Sequence, residues 1–509
     1  MIIAITGITG NMGQAVLEAL QSAEHIERIK LLCHNKKRMK KLLKKHKTLR
    51  DKTEVVEGGM TKNALSRLID GTELVINMAA VIPPRADHDP RAAEACNERG
   101  VIGLIEAIES ANPAPALVHV SSVAVYGNRS GAHMFGRVGD PLIATPLDAY
   151  STTKIRAEFA IMESRIEKWA VLRQSAMLHP RMLKDNMHDG LMFHTTFDAP
   201  LEWCTAHDSG LLMRNIAEAV ATDSVPDGFW KHCFNMTSGK ANRKYGIQTF
   251  DDGFAVMNGN SIDFFKPWYN ATRNFHGMWY LDGDALNDMF DYQRQTTDMY
   301  WSEVFKAHPV YKLGKLVPKC LIRLFVFKRL LRNTNSPMYW VRKNDEARIT
   351  AFFGGRENFR KLKASKWSDI ALPDYSAAQT LTDNATPVFY GFDFGKPDDA
   401  LTQADLAAVA EAHGGALLGT FRGDMYEKLD WRTQDGEVFS ACAYTVLRAG
   451  HWFNPAYKSF VWDFDRLCKK DKVFASVWYD SHGVDENNVY GFDESYRAYV
   501  RKIADGAQK

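Results

Sequence analysis

Ile2-Ile-Ala-Ile-Thr6-Gly7-Ile8-Thr9-Gly10-Asn11-Met12-Gly13 is the stretch that decides the fold. A β-branched run meets three glycines, each three residues from the next, and residues 11–22 then suit a helix. In such a strand–turn–helix, Gly7 permits the tight turn and Gly10 lets the backbone approach a pyrophosphate. Gly13 lets helix and strand pack closely. The free N–H groups and the dipole at the helix start favour an anion. The turn therefore predicts a dinucleotide site built from Gly7, Thr9, Gly10, Asn11, Met12 and Gly13.

Working outward, short apolar runs recur at 29–33, 53–57, 74–78, 117–121 and 169–173, with helical patterns between them. Strands alternating with helices predict a Rossmann-type α/β fold with a doubly wound parallel sheet. The end of the second strand indicates which dinucleotide is bound. An NAD site usually places a carboxylate there for the ribose hydroxyls. Here the sequence is Cys33-His34-Asn35-Lys36-Lys37-Arg38. Cations suit a 2′-phosphate, so His34, Asn35, Lys36 and Arg38 are expected around it, and NADP is favoured over NAD. Residues 36–52 hold ten Lys/Arg and one Asp, with Met39, Leu42, Leu43 and Leu49 on one helical face. Most of those lysines read as a solvated basic helix.

The 509 residues are long enough for two to four domains, and 64 Lys+Arg against 61 Asp+Glu leave no global charge to attract nucleic acid. No run approaches the roughly 20 apolar residues of a membrane span. Seven cysteines without a Cys-x-x-Cys pair fit a reducing compartment, and a cytoplasmic location is expected. The expected organisation is a first unit over 1–305, with a core at about 1–175 and 205–240 and a substrate region from 176–204 and 241–305. A basic amphipathic segment and connection follow over 306–400, then a separate α+β domain over 401–509. Residues 304–344 carry no acid while Lys312, Lys315, Lys319, Arg323, Lys328, Arg329 and Arg332 interleave with Leu, Val and Phe. A packed helix with snorkelling stems is the favoured reading of that stretch, and peripheral membrane contact is the alternative. A capping-box-like start at Thr402-Gln-Ala-Asp405, a stop at Gly414-Gly415 and a hairpin turning at Gln434-Asp435-Gly436 organise the last unit.

Val120-Ser121-Ser122-Val-Ala-Val-Tyr126-Gly127, Tyr150-Ser-Thr-Thr-Lys154 and Cys96-Asn97-Glu-Arg-Gly100 complete a pattern with the glycine turn. Asn77-Met-Ala-Ala80 and Phe234-Asn-Met-Thr-Ser-Gly239 add to it. Together they resemble the extended short-chain dehydrogenase/reductases, the NAD(P)-dependent epimerase/dehydratase-like family, over about residues 1–240. The resemblance implies a catalytic trio of Ser122, Tyr150 and Lys154, with Asn97 in support. It also implies that Met60, Ala79 and Ala80 join Tyr150 and Lys154 around the cofactor. Hydride transfer at a carbinol carbon needs a proton moved at its oxygen. A tyrosine serves near neutrality only if positive charge lowers its pKa from about 10. Lys154, one turn along a helix, is expected to supply that charge. Tyr311–Lys315 and Tyr339–Lys343 have the same spacing and read as decoys outside the nucleotide-binding half.

Departures from the family narrow the chemistry. Ser122 is followed by Val123 and Ala124, where the dehydratases carry an Asp-Glu pair. Arg173-Gln-Ser-Ala176-Met-Leu-His179-Pro180 lacks the Asn and Gly of the sugar-nucleotide epimerases, and Glu57-Gly58-Gly59-Met60 lacks the usual acidic residue after the third strand. The reading is an NADP(H)-dependent oxidoreductase interconverting a carbonyl and an alcohol on a small, hydrophobic substrate. An NAD-dependent sugar-nucleotide epimerase and a non-enzymatic NADP-binding redox sensor are the alternatives. Partners are a small-molecule substrate and no nucleic acid, with a homo-oligomer open. Residues 431–456 weakly resemble a zinc-ribbon-like module whose cysteine positions hold Thr433, Phe453 and Ala456, so no metal is expected.

Overall fold

The computed structural model describes residues 1–129, 131–373, 387–389, 391–452, 464–491 and 498. Seven parallel strands form the central sheet: β1 (Ile2–Thr6), β2 (Arg28–Cys33), β3 (Thr53–Glu57), β4 (Leu74–Asn77), β5 (Ala116–Ser122), β6 (Trp169–Gln174) and β7 (His232–Met236). Their order is β7-β6-β5-β4-β1-β2-β3, so the winding reverses at β1 and β4. That reversal opens a crevice at the carboxyl ends of the strands, where α/β sheets bind ligands.

The inner strands are apolar on both faces because both faces are covered, whereas the edge strand β3 buries only Val56. Ile3, Ile5, Leu74 and Ile76 pack with Val16 and Leu17 of α1 (Asn11–Leu20) and Leu212 of α6 (Ala206–Ala221). Ala4, Val75, Leu117 and Val171 point the other way. They meet Leu65 of α3 (Lys62–Ile69), Leu104 of α4 (Gly100–Glu109) and Ile155 of α5 (Ala149–Met162). The basic helix α2 (Lys36–Leu43) buries Met39, Leu42 and Leu43 and exposes its lysines. The seventh strand was not legible as an apolar run, because His232, Cys233 and Asn235 dilute it.

Residues 401–491 form an α+β region. Helix Gln403–Ala412 starts in the Thr402/Asp405 capping box, and Gly414 follows it at φ +73°. Lys428–Arg432 and Val438–Cys442 pair antiparallel around a turn containing Gly436 at φ +84°. Trp431, Leu447 and Trp452 belong to the same continuous core as Val171 and Ile155. Polar contacts add to that packing: the Tyr444 hydroxyl accepts from the Cys233 amide at 2.8 Å, and Glu163 accepts from the Cys442 amide at 3.1 Å. The C-terminal region is thus built onto the nucleotide-binding half.

A buried ion pair lies at this junction. Arg173 of β6 donates to Glu158 of α5 (Nη2 to Oε2, 2.8 Å), to the Tyr126 hydroxyl at 2.8 Å and to the Ala449 carbonyl at 2.8 Å. Both side chains are fully buried. Burial pushes the Glu158 carboxyl up, but Arg173 and His451 together outweigh it and hold the carboxyl down at about 2.

Residues 309–330 make no single helix. A 3₁₀ stretch (Pro309–Leu316), a short helix (Lys319–Ile322) and a π turn (Arg323–Phe327) succeed one another, and most of their side chains are exposed. The packed helix expected there is replaced by a segment lying on the surface. Pro337–Lys343, Glu346–Phe353 and Arg356–Ala364 are regular helices. Part of the expected connection, 374–386 and residue 390, lies outside the described residues.

Candidate active site

Each glycine of the first turn has a distinct environment. Gly7 sits at φ +72°, and a Cβ there would lie 2.5 Å from the Met78 carbonyl carbon. A Cβ on Gly13 would lie 2.5 Å from the Ile8 Cα. Gly10 is open by comparison, with only the Gly7 carbonyl oxygen at 3.3 Å. Two glycines are therefore required by the protein's own packing, and the third leaves room above the N-terminus of α1. That helix has no side-chain cap and no acid in its first turn. The cradle fits a dinucleotide pyrophosphate on both counts.

Most of the other predicted nucleotide contacts follow the carboxyl ends of β2, β3 and β4. Arg38 donates to the Thr9 carbonyl at 3.0 Å, which brings the end of β2 back to the glycine turn. Asn35 caps α2 by accepting from the Arg38 amide at 3.0 Å, and Lys36 pairs with Glu57 at 2.5 Å. His34 covers Gly59, where a Cβ would strike its ring, and Met60 packs against Gly100. Asn11 contacts His179 at 3.3 Å, and Met12 is buried. The Ala79 amide donates to Thr6 Oγ1 at 3.0 Å. Thr6 in turn donates to Asn77 at 2.5 Å, and Asn77 meets His119 at 2.9 Å. This buried chain ties together the ends of β1, β4 and β5. Ala80 lies just beyond it, half-buried.

Ser122 ends β5 and accepts from the Ala124 amide at 3.2 Å, and it shares a hydrogen bond with Tyr150. Tyr150 lies in the first turn of α5, whose N-cap Asp148 accepts from the Ser151 amide at 2.9 Å. Asn97 is fully buried in a π turn (Glu94–Arg99). It clamps the backbone of Val81, accepting from its amide at 2.7 Å and donating to its carbonyl at 3.0 Å, and donates to Thr153 at 3.1 Å. The structure thus brings Ser122 and Tyr150 into contact and places Asn97 under the start of α5.

Lys154 departs from its expected role. Its ammonium donates to the Val120 carbonyl at 2.9 Å inside the protein. Burial brings its pKa down to about 8, against the raising effect of Cys96 and Glu158. The Tyr150 phenol is pushed up to about 12 by burial and by Asp148, with only the Ser122 hydrogen bond lowering it. Lys154 is not among the groups that shift the Tyr150 phenol in this arrangement, and its ammonium is held at a strand carbonyl. Tyr150 is held as a protonated phenol.

Tyr150 lines a cavity of about 610 Å³. Leu147, Met177, Phe275, Trp340 and Phe352 form its apolar walls, and Asp87, His194, Lys343 and Arg348 supply polar groups. Burial, with Asp148 nearby, raises the Asp87 carboxyl to about 7, and burial lowers His194 to about 4. Arg348 is paired with Asp345 at 2.6 Å. Residues 334–352 were assigned by sequence to a segment outside the first unit, and Tyr339–Lys343 to a decoy. Both side chains of that decoy line the Tyr150 cavity. Its Tyr-x-x-x-Lys spacing was visible, but no local pattern shows that a later helix folds back over the site.

Among the described residues no group of three or more His, Cys, Asp or Glu could hold a metal. Phe453 and Ala456 lie outside the described residues. Thr433 is buried at the hairpin turn, its hydroxyl accepting from the Glu437 amide at 3.0 Å.

Residues 3–171 match the model of the NAD dependent epimerase/dehydratase family. No curated protein matches the sequence significantly. Among solved structures, the chain is similar to a UDP-glucuronic acid 4-epimerase mutant from Bacillus cereus at 16% identity, covering 60% of this chain and 100% of that one, with a TM-score of 0.46. A dTDP-glucose 4,6-dehydratase from Bacillus anthracis shows 16% identity over 61% of this chain and 98% of its own, with a TM-score of 0.47. A short-chain dehydrogenase/reductase superfamily protein from Agrobacterium tumefaciens shows 16% identity over 62% and 99%, with a TM-score of 0.45. The match over residues 3–171, the Rossmann-type sheet and the glycine cradle agree on an N-terminal domain of the NAD dependent epimerase/dehydratase type, the domain of an NAD(P)-dependent enzyme.

Proposed function

We propose that the protein is an NADP(H)-dependent oxidoreductase that interconverts a carbonyl and an alcohol on a small substrate with an apolar body. The observation that carries this reading is Tyr150, hydrogen-bonded with Ser122 and facing a largely apolar cavity with aromatic walls. Gly10 and the N-terminus of α1 would hold the pyrophosphate, and Arg38, beside the turn, would meet a 2′-phosphate. The bound dinucleotide supplies or accepts the hydride. Tyr150, protonated at neutral pH, gives its proton to the substrate oxygen in the reducing direction and is reprotonated from water; to serve as the base in the oxidising direction it must first lose that proton. Ser122 orients that oxygen, and Asn97 fixes the Val81 backbone below it. Lys154, anchored to Val120, keeps a charge beside the site that falls away above about pH 8.

A sugar-nucleotide epimerase is the second reading. The family match favours it, as do Lys343 and Arg348 in the cavity, since both could meet a pyrophosphate. Consumption of NADPH against a panel of carbonyl compounds separates the two. Stoichiometric loss of NADPH supports the oxidoreductase. Conversion of a nucleotide sugar with no net loss of cofactor supports the epimerase.

A further inference from the structure

The surface segment 309–330 has an unusual composition and unusual exposure. Val310, Leu313, Leu316, Leu324 and Phe325 are 61, 57, 80, 49 and 69% exposed. Isolated exposed apolar residues are ordinary, but a crowd of them within one short segment marks a surface that meets something. Beneath them lies a second cavity of about 440 Å³, with almost no polar lining. Leu183, Phe254, Met257 and Trp301 line it together with Leu321 and Phe325 of the segment.

The same segment is cationic. Lys312, Lys315, Arg323, Lys328, Arg329 and Arg332 are all exposed. Residues 304–344 contain no carboxylate. The acid that reaches in from elsewhere is Asp263, which pairs with Lys319 at 2.6 Å. A second copy of the chain is a poor occupant, because a two-fold pairing of this face would set cations against cations. An anionic bilayer answers both properties: acyl chains take up the apolar side chains, and headgroups neutralise the lysines and arginines.

We propose that residues 309–330 dock the protein on anionic phospholipid bilayers, with Leu313, Leu316, Leu324 and Phe325 entering the acyl boundary and the surrounding cations resting on headgroups. No membrane-crossing helix is involved: among the described residues none is long and apolar enough to span. The docking face lies on the substrate side of the enzyme. Met187, Met192 and Leu330 line the apolar cavity, while Leu191, His194 and Thr334 of the same two segments line the Tyr150 cavity.

The test is co-sedimentation of the full chain with phosphatidylcholine vesicles that contain or lack phosphatidylglycerol. Binding is expected with the anionic vesicles only, and it should weaken strongly as salt is raised. This arm needs no variant. Leu316→Asp together with Phe325→Asp changes only exposed side chains and should lower binding tenfold or more while the melting temperature holds. Lys312→Gln with Lys315→Gln and Arg323→Gln should lower it by about tenfold or more. Equal binding to neutral and anionic vesicles, no binding to either, or unchanged binding by both variants would overturn the proposal. So would a vesicle-free dimer or protein complex that Leu316→Asp dissolves, since the face would then belong to a protein partner.

Discussion

The glycine turn at residues 7–13 and the segment at 334–352 supply the two sides of the candidate site from opposite kinds of sequence. The turn is local. Its glycines lie within a dozen positions; Gly13 is fixed by the backbone of nearby Ile8, and Gly7 by the backbone of Met78 at the neighbouring strand's end. The 334–352 segment is remote from Tyr150 in sequence and reaches its cavity only through tertiary packing of Trp340 and Phe352. Binding of the dinucleotide should therefore tolerate change in the later segment, and substrate recognition should tolerate change in the turn. Substitutions on either side can break that division.

Tyr150→Phe should have the largest effect. Loss of the proton-bearing oxygen is expected to cut kcat by about 10²–10⁴. Cofactor affinity, read by fluorescence titration of NADPH, should stay within a factor of two or so, because the glycine turn is untouched. Retention of most activity with the true substrate would remove Tyr150 from the chemistry.

Glu158→Gln comes next, acting on stability. Arg173 would keep its buried charge without its carboxylate, a change that typically costs about 3–5 kcal/mol. The pH dependence has a definite sign. A carboxyl held at about 2 in the fold and near 4.5 when unfolded stabilises the protein above about pH 4.5, and that contribution drains away as the pH falls toward 2. Acid titration by circular dichroism should show the wild-type protein losing stability across that window, with a shallower slope for the variant.

Gly13→Ala and Gly10→Ala form the sharpest pair. The first forces a Cβ into backbone at 2.5 Å and should cost about 1–3 kcal/mol, read as a lower melting temperature. The second meets only the Gly7 carbonyl at 3.3 Å and should leave melting nearly unchanged while weakening dinucleotide binding. Equal behaviour of the two would end the distinction between packing glycine and ligand glycine.

Arg38→Gln is expected to weaken NADPH about tenfold and NADH hardly at all, the size of one charge-assisted contact. Equal loss for both dinucleotides would place Arg38 in a purely structural role at the Thr9 carbonyl. Tyr339→Phe is the smallest change. It removes one hydroxyl from the wall of the cavity, and a rise of about threefold in KM with kcat held would mark it as a substrate contact.

What could be read in advance follows the same division. Six strands of the sheet were legible because parallel strands buried on both faces leave near-continuous apolar runs, and His232–Met236 escaped because its polar atoms are satisfied internally. Asn235, for example, accepts from the Tyr126 hydroxyl and donates to Asp282, both at 2.8 Å. Ser122 and Tyr150 could be proposed as a pair from spacing. The direction in which Lys154 points could not, because the Val120 carbonyl that captures it belongs to β5 and not to its own helix. Residues 339 and 343 repeat the Tyr-x-x-x-Lys spacing on an ordinary helix, and only the fold shows what that helix covers.

Arg173 and the Ala449 carbonyl it engages are 276 residues apart. At about 5–20 residues per second, a ribosome would make the second roughly 14–55 s after the first. During that interval β6 would carry a guanidinium whose final acceptor does not yet exist, and its Trp169 would wait for Tyr444, whose ring packs against it. The N-terminal half would wait in an incomplete state until Ala449 had been made, so its yield in a cell should depend on how quickly the codons between Arg173 and Ala449 are read.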